Sequence, residues 1–312
     1  MRRRLAALSI VLLILPGWNP ALSAGERPFK ATYDFVGTDA VIVDDTHILF
    51  TGVLSGHATH LGRFVGETQY LVDVTTGMFE TYAAGRACDV SSACHWAVNE
   101  AASAQYGRMW GHAYSVTPGA IVVPAESPIM KPSDLAGVEV AVGYHSGSHF
   151  SALQALESFL QPDEIRLRFV GMPWDRVEAL LQRTVPAANV WSTALYLLDQ
   201  QGFRRVADTT FMIGFLFDNE TDPEDVERYF RGLKRAQAEL DLQPERYKHH
   251  HLDGIPAHLR HLADVRGFGA GERIVFLPYT REMYERSQRW MHERGLFDHE
   301  RPTPAYESVV YA

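Results

Sequence analysis

Ser146, Gly147 and Ser148 carry the clearest chemical signal in this chain. They lie between an apolar run marked by Val138, Val140 and Val142 and the helical pattern FSALQALESFL. A strand that ends in a small-residue loop and opens into a helix directs free backbone N–H groups and a positive dipole end at one spot. Such a spot suits a carboxylate, a sulfonate or a phosphate. Gly147 permits close backbone approach or a positive φ. His145 and His149, on either side, could add a positive charge that depends on pH. The same residues also read as ordinary capping of a helix by Ser148, and the residue types alone leave both readings open.

Other chemistry-bearing residues are fewer. The chain has two cysteines, Cys88 and Cys94, in RACDVSSAC. A disulfide between them is chemically allowed in an exported protein, but a strand-to-helix segment could hold the two Cα atoms too far apart. Two thiols without nearby partners do not complete a tetrahedral metal shell. In Lys248-His249-His250-His251 the three imidazoles would point about 100° apart on a helix, so one ion could not take all three. His258 and His261 are better spaced but lack an evident carboxylate arrangement. No G-x-S-x-G, H-E-x-x-H or glycine-rich nucleotide loop occurs, so the sequence calls for no metal, no cofactor and no catalytic residue.

The elements that must position these residues follow from the rest of the 312-residue chain, which is long enough for two domains. At 46% apolar and 21% charged residues, the composition is that of a globular protein. Residues 1–24, MRRRLAALSIVLLILPGWNPALSA, combine a basic start, a short apolar run and a small-residue end. That is the pattern of a signal peptide cleaved after Ala24, which places the mature protein in the periplasm or outside the cell. Loss of Arg2, Arg3 and Arg4 takes the formal charge from −9 to −12. An acidic surface disfavours nucleic acid as a partner.

The grammar changes near residue 80. Before it, FKATYDF, HILFTGVL and TQYLVDV alternate or run apolar between Gly, Asp and Thr, which predicts a β-meander of about four short strands over 25–79. After it, strands and helices alternate. Strands are expected at 87–90, 110–116, 120–123, 138–143, 165–170, 187–190, 206–208 and 212–217. Helices are expected at 95–106, 148–160, 174–181 and 193–201, and then at 223–239, 243–251, 256–264 and 280–294. Apolar strands interleaved with amphipathic helices predict parallel sheets covered on both faces.

Four segments in register carry a family resemblance: ETYAAGRACDVSSACHWAVN, GAIVVPAESPIMKPSDLAGVEVAV, YHSGSHFSALQALE and PAANVWSTALYLLDQQGF. With the long C-terminal helices, residues 80–297 resemble a type II periplasmic substrate-binding protein of the SsuA/THI5-like (NMT1-like) group used by ABC importers. Residues 29–79 resemble instead the opening strands of a calycin-like (allene-oxide-cyclase-type) β-barrel. The resemblance implies an α/β, two-lobed fold in which an N-terminal antiparallel β-meander replaces the first β-α-β-α unit of lobe one. Lobe one would comprise 80–117 and 212–312, and lobe two 118–211.

It also implies a monomer that binds a small anionic or polar aromatic ligand between its lobes, without chemistry, and delivers it to a membrane permease. In the cleft it implies, Ser91, Ser92 and His95 would line one wall. Tyr144, His145, Ser146, Gly147, Ser148 and His149 would line the other, and Asn189 and Trp191 would take a third position. Phe211 or Met212 could close the floor. Related enzymes, decarboxylase-like or thiamine-pyrimidine-synthase-like, give a second reading, although the cysteine-rich iron site of the latter has no counterpart here. A β-rich interaction module on an α/β scaffold gives a third.

Overall fold

The computed structural model describes residues 31–42, 47–58, 62–73, 90–296 and 302–312. The leader, Cys88 and the junction near 76–81 lie outside them. Among the described residues, no helix is long and apolar enough to cross a membrane.

The front of the chain forms β1 (Ala31–Ile42), β2 (His47–Ala58) and β3 (Gly62–Asp73), hydrogen-bonded in that order as a compact unit. In place of about four short strands, the described residues give three of twelve residues each. An isolated glycine weakens a strand without ending it, so Gly37, Gly52, Gly56 and Gly66 are carried inside the extended runs.

The second unit begins with β4 (Val90–Cys94), α1 (His95–Ser103), β5 (Arg108–Trp110) and β6 (Tyr114–Thr117). The chain then crosses to a five-stranded sheet built from β7 (Gly119–Val123), β8 (Glu139–Val142), β9 (Arg166–Phe169), β10 (Ala187–Trp191) and β11 (Arg204–Asp208). Between these strands run α2 (Gly147–Leu156), α3 (Pro173–Leu181) and α4 (Ser192–Gln200). It returns through β12 (Phe211–Phe217) and closes the first sheet with β13 (Arg273–Val275) and β14 (Val310–Tyr311). The helices of this last stretch are α5 (Pro223–Leu242), the single turn α6 (Pro244–Tyr247), α7 (Arg281–Glu293) and the short α8 (Tyr306–Val309).

The five-stranded sheet has the order β11-β7-β10-β8-β9. Its central strands are apolar on both faces, and alternation divides them cleanly. Ala120, Val122, Ala141, Ala188 and Val190 pack under α3 and α4, while Ile121, Val123, Val140, Val142 and Ala187 pack under α2. The sheet is not all parallel: β8, β9 and β10 are, but β7 runs antiparallel to β10 and β11. The cause is connectivity, because β7 and β11 are the strands by which the chain enters and leaves this lobe.

The other sheet has the order β13-β6-β12-β5-β14, and β4 also pairs with β12. One face packs α1 and α7 around Trp96, Phe211 and Leu216, and the other packs α5 around Trp110, Phe215 and Phe217. The expected strand at 110–116 is broken in two at Gly111. There the Gly111 N–H donates to the Tyr311 carbonyl at 2.7 Å, and a Cβ would stand 2.6 Å from that oxygen. The helices expected at 243–251 and 256–264 are, beyond α6, stretches of 3₁₀ helix over Lys248–Gly254 and Ala257–Leu262. Pro244, Gly254 and Pro256 cut them too short for regular helix.

The two crossings lie side by side. Thr117 pairs with Phe211, Ala120 with Asp208, and Trp191 with Gly119. The Thr209 N–H donates to the Gly119 carbonyl at 2.9 Å, and the Ser192 N–H donates to the Pro118 carbonyl at 2.8 Å. This double crossing joins the two sheets.

Candidate functional site

The loop after β8 caps α2 with its own hydroxyls. Ser146 Oγ donates its one proton to the Gly143 carbonyl at 2.7 Å and accepts from the Ser148 N–H at 3.2 Å. The 2.7 Å contact between the two hydroxyls must therefore be donated by Ser148. Ser148 Oγ in turn accepts from the Gly143 N–H at 2.8 Å. The N-cap is Ser146 and not Ser148, because Ser148 already lies in the first turn. Ser146 Oγ has no hydrogen-bonding capacity left, and Ser148 is fully buried. The predicted anion cradle is closed on itself. Gly147 is pressed against the opposite lobe, where a Cβ would stand 2.7 Å from the Phe211 ring and 3.2 Å from Cys94 Cβ.

His145 has a positive φ of 42°, and Ser192, at the start of α4, has one of 50°. Left-handed backbone is unfavourable for such residues and gathers at functional sites. Both positions follow the carboxyl ends of neighbouring parallel strands, β8 and β10. Tyr144 stacks on His145 at 4.4 Å and meets Phe169 edge-on at 6.0 Å, with its ring 40% exposed at the rim.

Asn189 is a buried strut. Its Nδ2 donates to the Ser148 carbonyl at 2.7 Å and to Ser151 Oγ at 2.9 Å, and its Oδ1 accepts from Thr209 Oγ1 at 2.7 Å. Both amide protons are used, so the side chain ties the α2 turn to the crossing at Thr209. Trp191, half-buried, meets Phe211 edge-on at 5.9 Å.

Beside it stands a residue the sequence reading did not single out. Arg176 is 1% exposed, with its guanidinium carbon 5.2 Å from the Trp191 ring centroid. Its Nε donates to the Asn189 carbonyl at 3.1 Å, and its Nη1 donates to the Gly171 carbonyl at 2.9 Å. Nη2 is buried without a hydrogen-bond partner, and no carboxylate among the described residues forms an ion pair with this side chain. Burial pulls its pKa down to about 10, against the opposing pull of Asp175. One sequence signal could have found it: Arg176 shares the helical phase of Val177 and Leu180, where apolar residues belong.

On the opposite lobe, Ser91 and Ser92 do not lie beyond the end of the strand expected at 87–90. They lie inside β4, paired with Leu216 and Phe215 of β12, and α1 is capped at Cys94. The long apolar partner strand carries β4 past Val90 up to Cys94, and the helix starts at His95 as expected. Cys94 is a free, buried thiol, and burial pushes its pKa up to about 12. Its suggested partner Cys88 falls outside the described residues. His95 is buried with Nδ1 3.2 Å from the Met212 carbonyl, and desolvation lowers its pKa to about 4. His149 is lowered to about 4 as well, by burial first and by His145 second. His149 therefore brings no positive charge to the loop at neutral pH.

The lobes meet through Trp96, which lies 5.8 Å from Phe150 and 6.2 Å from Phe211. Glu157, at the end of α2, accepts from Trp290 Nε1 at 3.1 Å and from Arg294 Nη2 at 2.8 Å. Among the described residues no group of three or more metal-ligating side chains could hold an ion. His250 pairs with Asp253, His251 with Thr193, and His258 with Glu178.

No protein-family model matches the sequence, and no curated protein matches it. Solved structures do. The alkanesulfonate-binding protein SsuA from Xanthomonas axonopodis pv. citri, bound to MOPS, aligns with a TM-score of 0.58 and 16% identity over 76% of this chain and 84% of its own. The periplasmic aliphatic sulphonate binding protein SsuA from Escherichia coli aligns at 0.57 and 19% identity, over 75% and 79%. A variant of the desulfurization enzyme DszB in complex with biphenyl-2-sulfinic acid aligns at 0.51 and 14% identity, over 75% and 86%. The fold is the two-lobed fold of SsuA-type periplasmic binding proteins. Both binding proteins and an enzyme share it, so function rests on the site.

Proposed function

We propose that this chain is the exported solute-binding component of an ABC importer, closing two lobes on a small anionic or polar aromatic ligand without chemistry. The observation that carries the reading is the pair of strained turns at His145 and Ser192. They lie at the carboxyl ends of β8 and β10, beside the double crossing, and Gly147, two residues after the first of them, abuts Cys94, the cap of α1 in the other lobe. Open α/β sheets bind ligands at that end of their strands. The likeness to sulfonate-binding proteins supports the same reading.

Catalysis is the weaker reading. Cys94 and His95 are the adjacent pair that nucleophilic chemistry would use, yet burial holds the thiol protonated and the imidazole neutral at neutral pH. On this proposal residues 1–24 direct export, 118–211 form the second lobe, and the protein acts as a monomer beside a membrane permease.

The test is a panel of sulfonates, carboxylates and thiamine precursors, read by melting temperature and small-angle scattering on the full chain. A ligand that raises the melting temperature and compacts the particle supports the proposal. Absence of any shift across the panel points instead to a β-rich interaction module.

A further inference from the structure

Six residues form a closed circuit across the cleft. A Cβ on Gly143 would lie 2.9 Å from Ser146 Oγ and 3.1 Å from Arg176 Nη1, so hydroxyl and guanidinium flank one point. Arg176 lies over Trp191, Trp191 meets Phe211, and Phe211 touches Gly147. Around this circuit the positive ends of α1 and α2 come together, because Gly147, the first residue of α2, abuts Cys94, the cap of α1. Two helix N-termini and one guanidinium concentrate positive potential. Within hydrogen-bonding reach of Arg176, the described residues offer backbone carbonyls but no ionised acid. Asp175, its neighbour on α3, is exposed and caps its own helix through the Met172 N–H at 2.6 Å.

A buried cation needs a partner, and a buried N–H without one is expensive. Nη2 is such a group. Resting on the proposed solute-binding reading, we infer that Arg176 is the anion anchor of the site. Its Nη2 would take an oxygen of a sulfonate or carboxylate head whose apolar remainder lies against Trp191 and Phe211. Arginine fits this role better than lysine, since its planar fork stacks on an aromatic face while donating in plane.

The test uses the full chain and two matched pairs of probes, benzenesulfonate with benzenesulfonamide and benzoate with benzamide, measured by calorimetry. Wild type should prefer each anion over its uncharged partner by at least tenfold. In Arg176→Gln that preference should fall to about one, and Arg176→Lys should restore part of it. A purely structural arginine would weaken all four probes together, so an unaltered preference in Arg176→Gln overturns the assignment. If Arg176→Gln does not fold, the wild-type and Arg176→Lys preferences decide in the same way. A wild type that closes only on uncharged solutes refutes the anchor and leaves solute binding standing. A wild type inert to every probe, and to the wider panel above, sinks both.

Discussion

Two regions that meet at Gly143 treat their polar groups in opposite ways. The loop from Gly143 to His149 is rich in small polar residues and looks made for a ligand, yet its two hydroxyls are committed to each other and to the Gly143 backbone. Arg176 sits in an amphipathic helix that advertises nothing, yet it holds a buried N–H with no partner. Residue types that suit ligand binding also suit self-capping, and only three-dimensional hydrogen-bond accounting separates the two. Donors left over mark a site better than donors present.

Asn189 joins the two regions, and breaking it should have the largest effect. Its side chain holds the Ser148 carbonyl, Ser151 and Thr209, and its backbone carbonyl holds Arg176 Nε. Asn189→Leu, similar in size, keeps the backbone carbonyl but leaves the three buried side-chain partners unmet, and should destabilise the fold by about 3–5 kcal/mol. Urea denaturation measures this directly. A loss below about 1 kcal/mol would mean that the two regions are held independently.

Acid should act next, through buried His95 and half-buried His149 on the facing lobes. His95 and His149 protonate near 6.5 when unfolded but only at about 4 when folded. The unfolded chain then binds more protons between these values. Stability from this source is complete above pH 6.5, falls as pH drops toward 4, and falls no further below it. Each histidine should contribute on the order of 3 kcal/mol to that loss. Carboxylates titrate in the same range, so the informative measurement is the difference between wild type and His149→Gln from pH 7 to pH 4. A flatter curve in the variant places the effect in the loop, and identical curves remove His149 from the account.

Much of the scaffold was legible because its signals are strong and local. The apolar runs at Gly119–Val123, Glu139–Val142 and Ala187–Trp191 are buried on both faces and read as strands without help. β13 and β14 are three and two residues long and exist only because β6 and β5 offer them an edge. Ser91 and Ser92 fall outside the strand expected at 87–90 because β-propensity ends near Val90, whereas pairing with β12 carries the strand onward. The role of Arg176 was hidden for a related reason, although its helical phase marks it as buried. Its helix is ordinary in sequence, and its meaning depends on Trp191 and Gly143, reached only through the fold.

The smallest expected effect tests the loop itself. Ser146→Ala removes the cap of α2 and the bond to the Gly143 carbonyl, but the Ser148 hydroxyl can turn its proton elsewhere and still accept from the Gly143 N–H. An N-cap serine replaced by alanine costs about 1 kcal/mol, and a loss of that size in unfolding free energy, read by urea denaturation, is expected. Anion affinity should change less than threefold, because Ser146 Oγ has no remaining capacity to offer a ligand. If Ser146→Ala instead abolished anion binding while Arg176→Gln left it intact, the order of the two regions would be reversed. The loop would then have to open its hydroxyl pair when ligand arrives, and the guanidinium would be only a strut beneath Trp191.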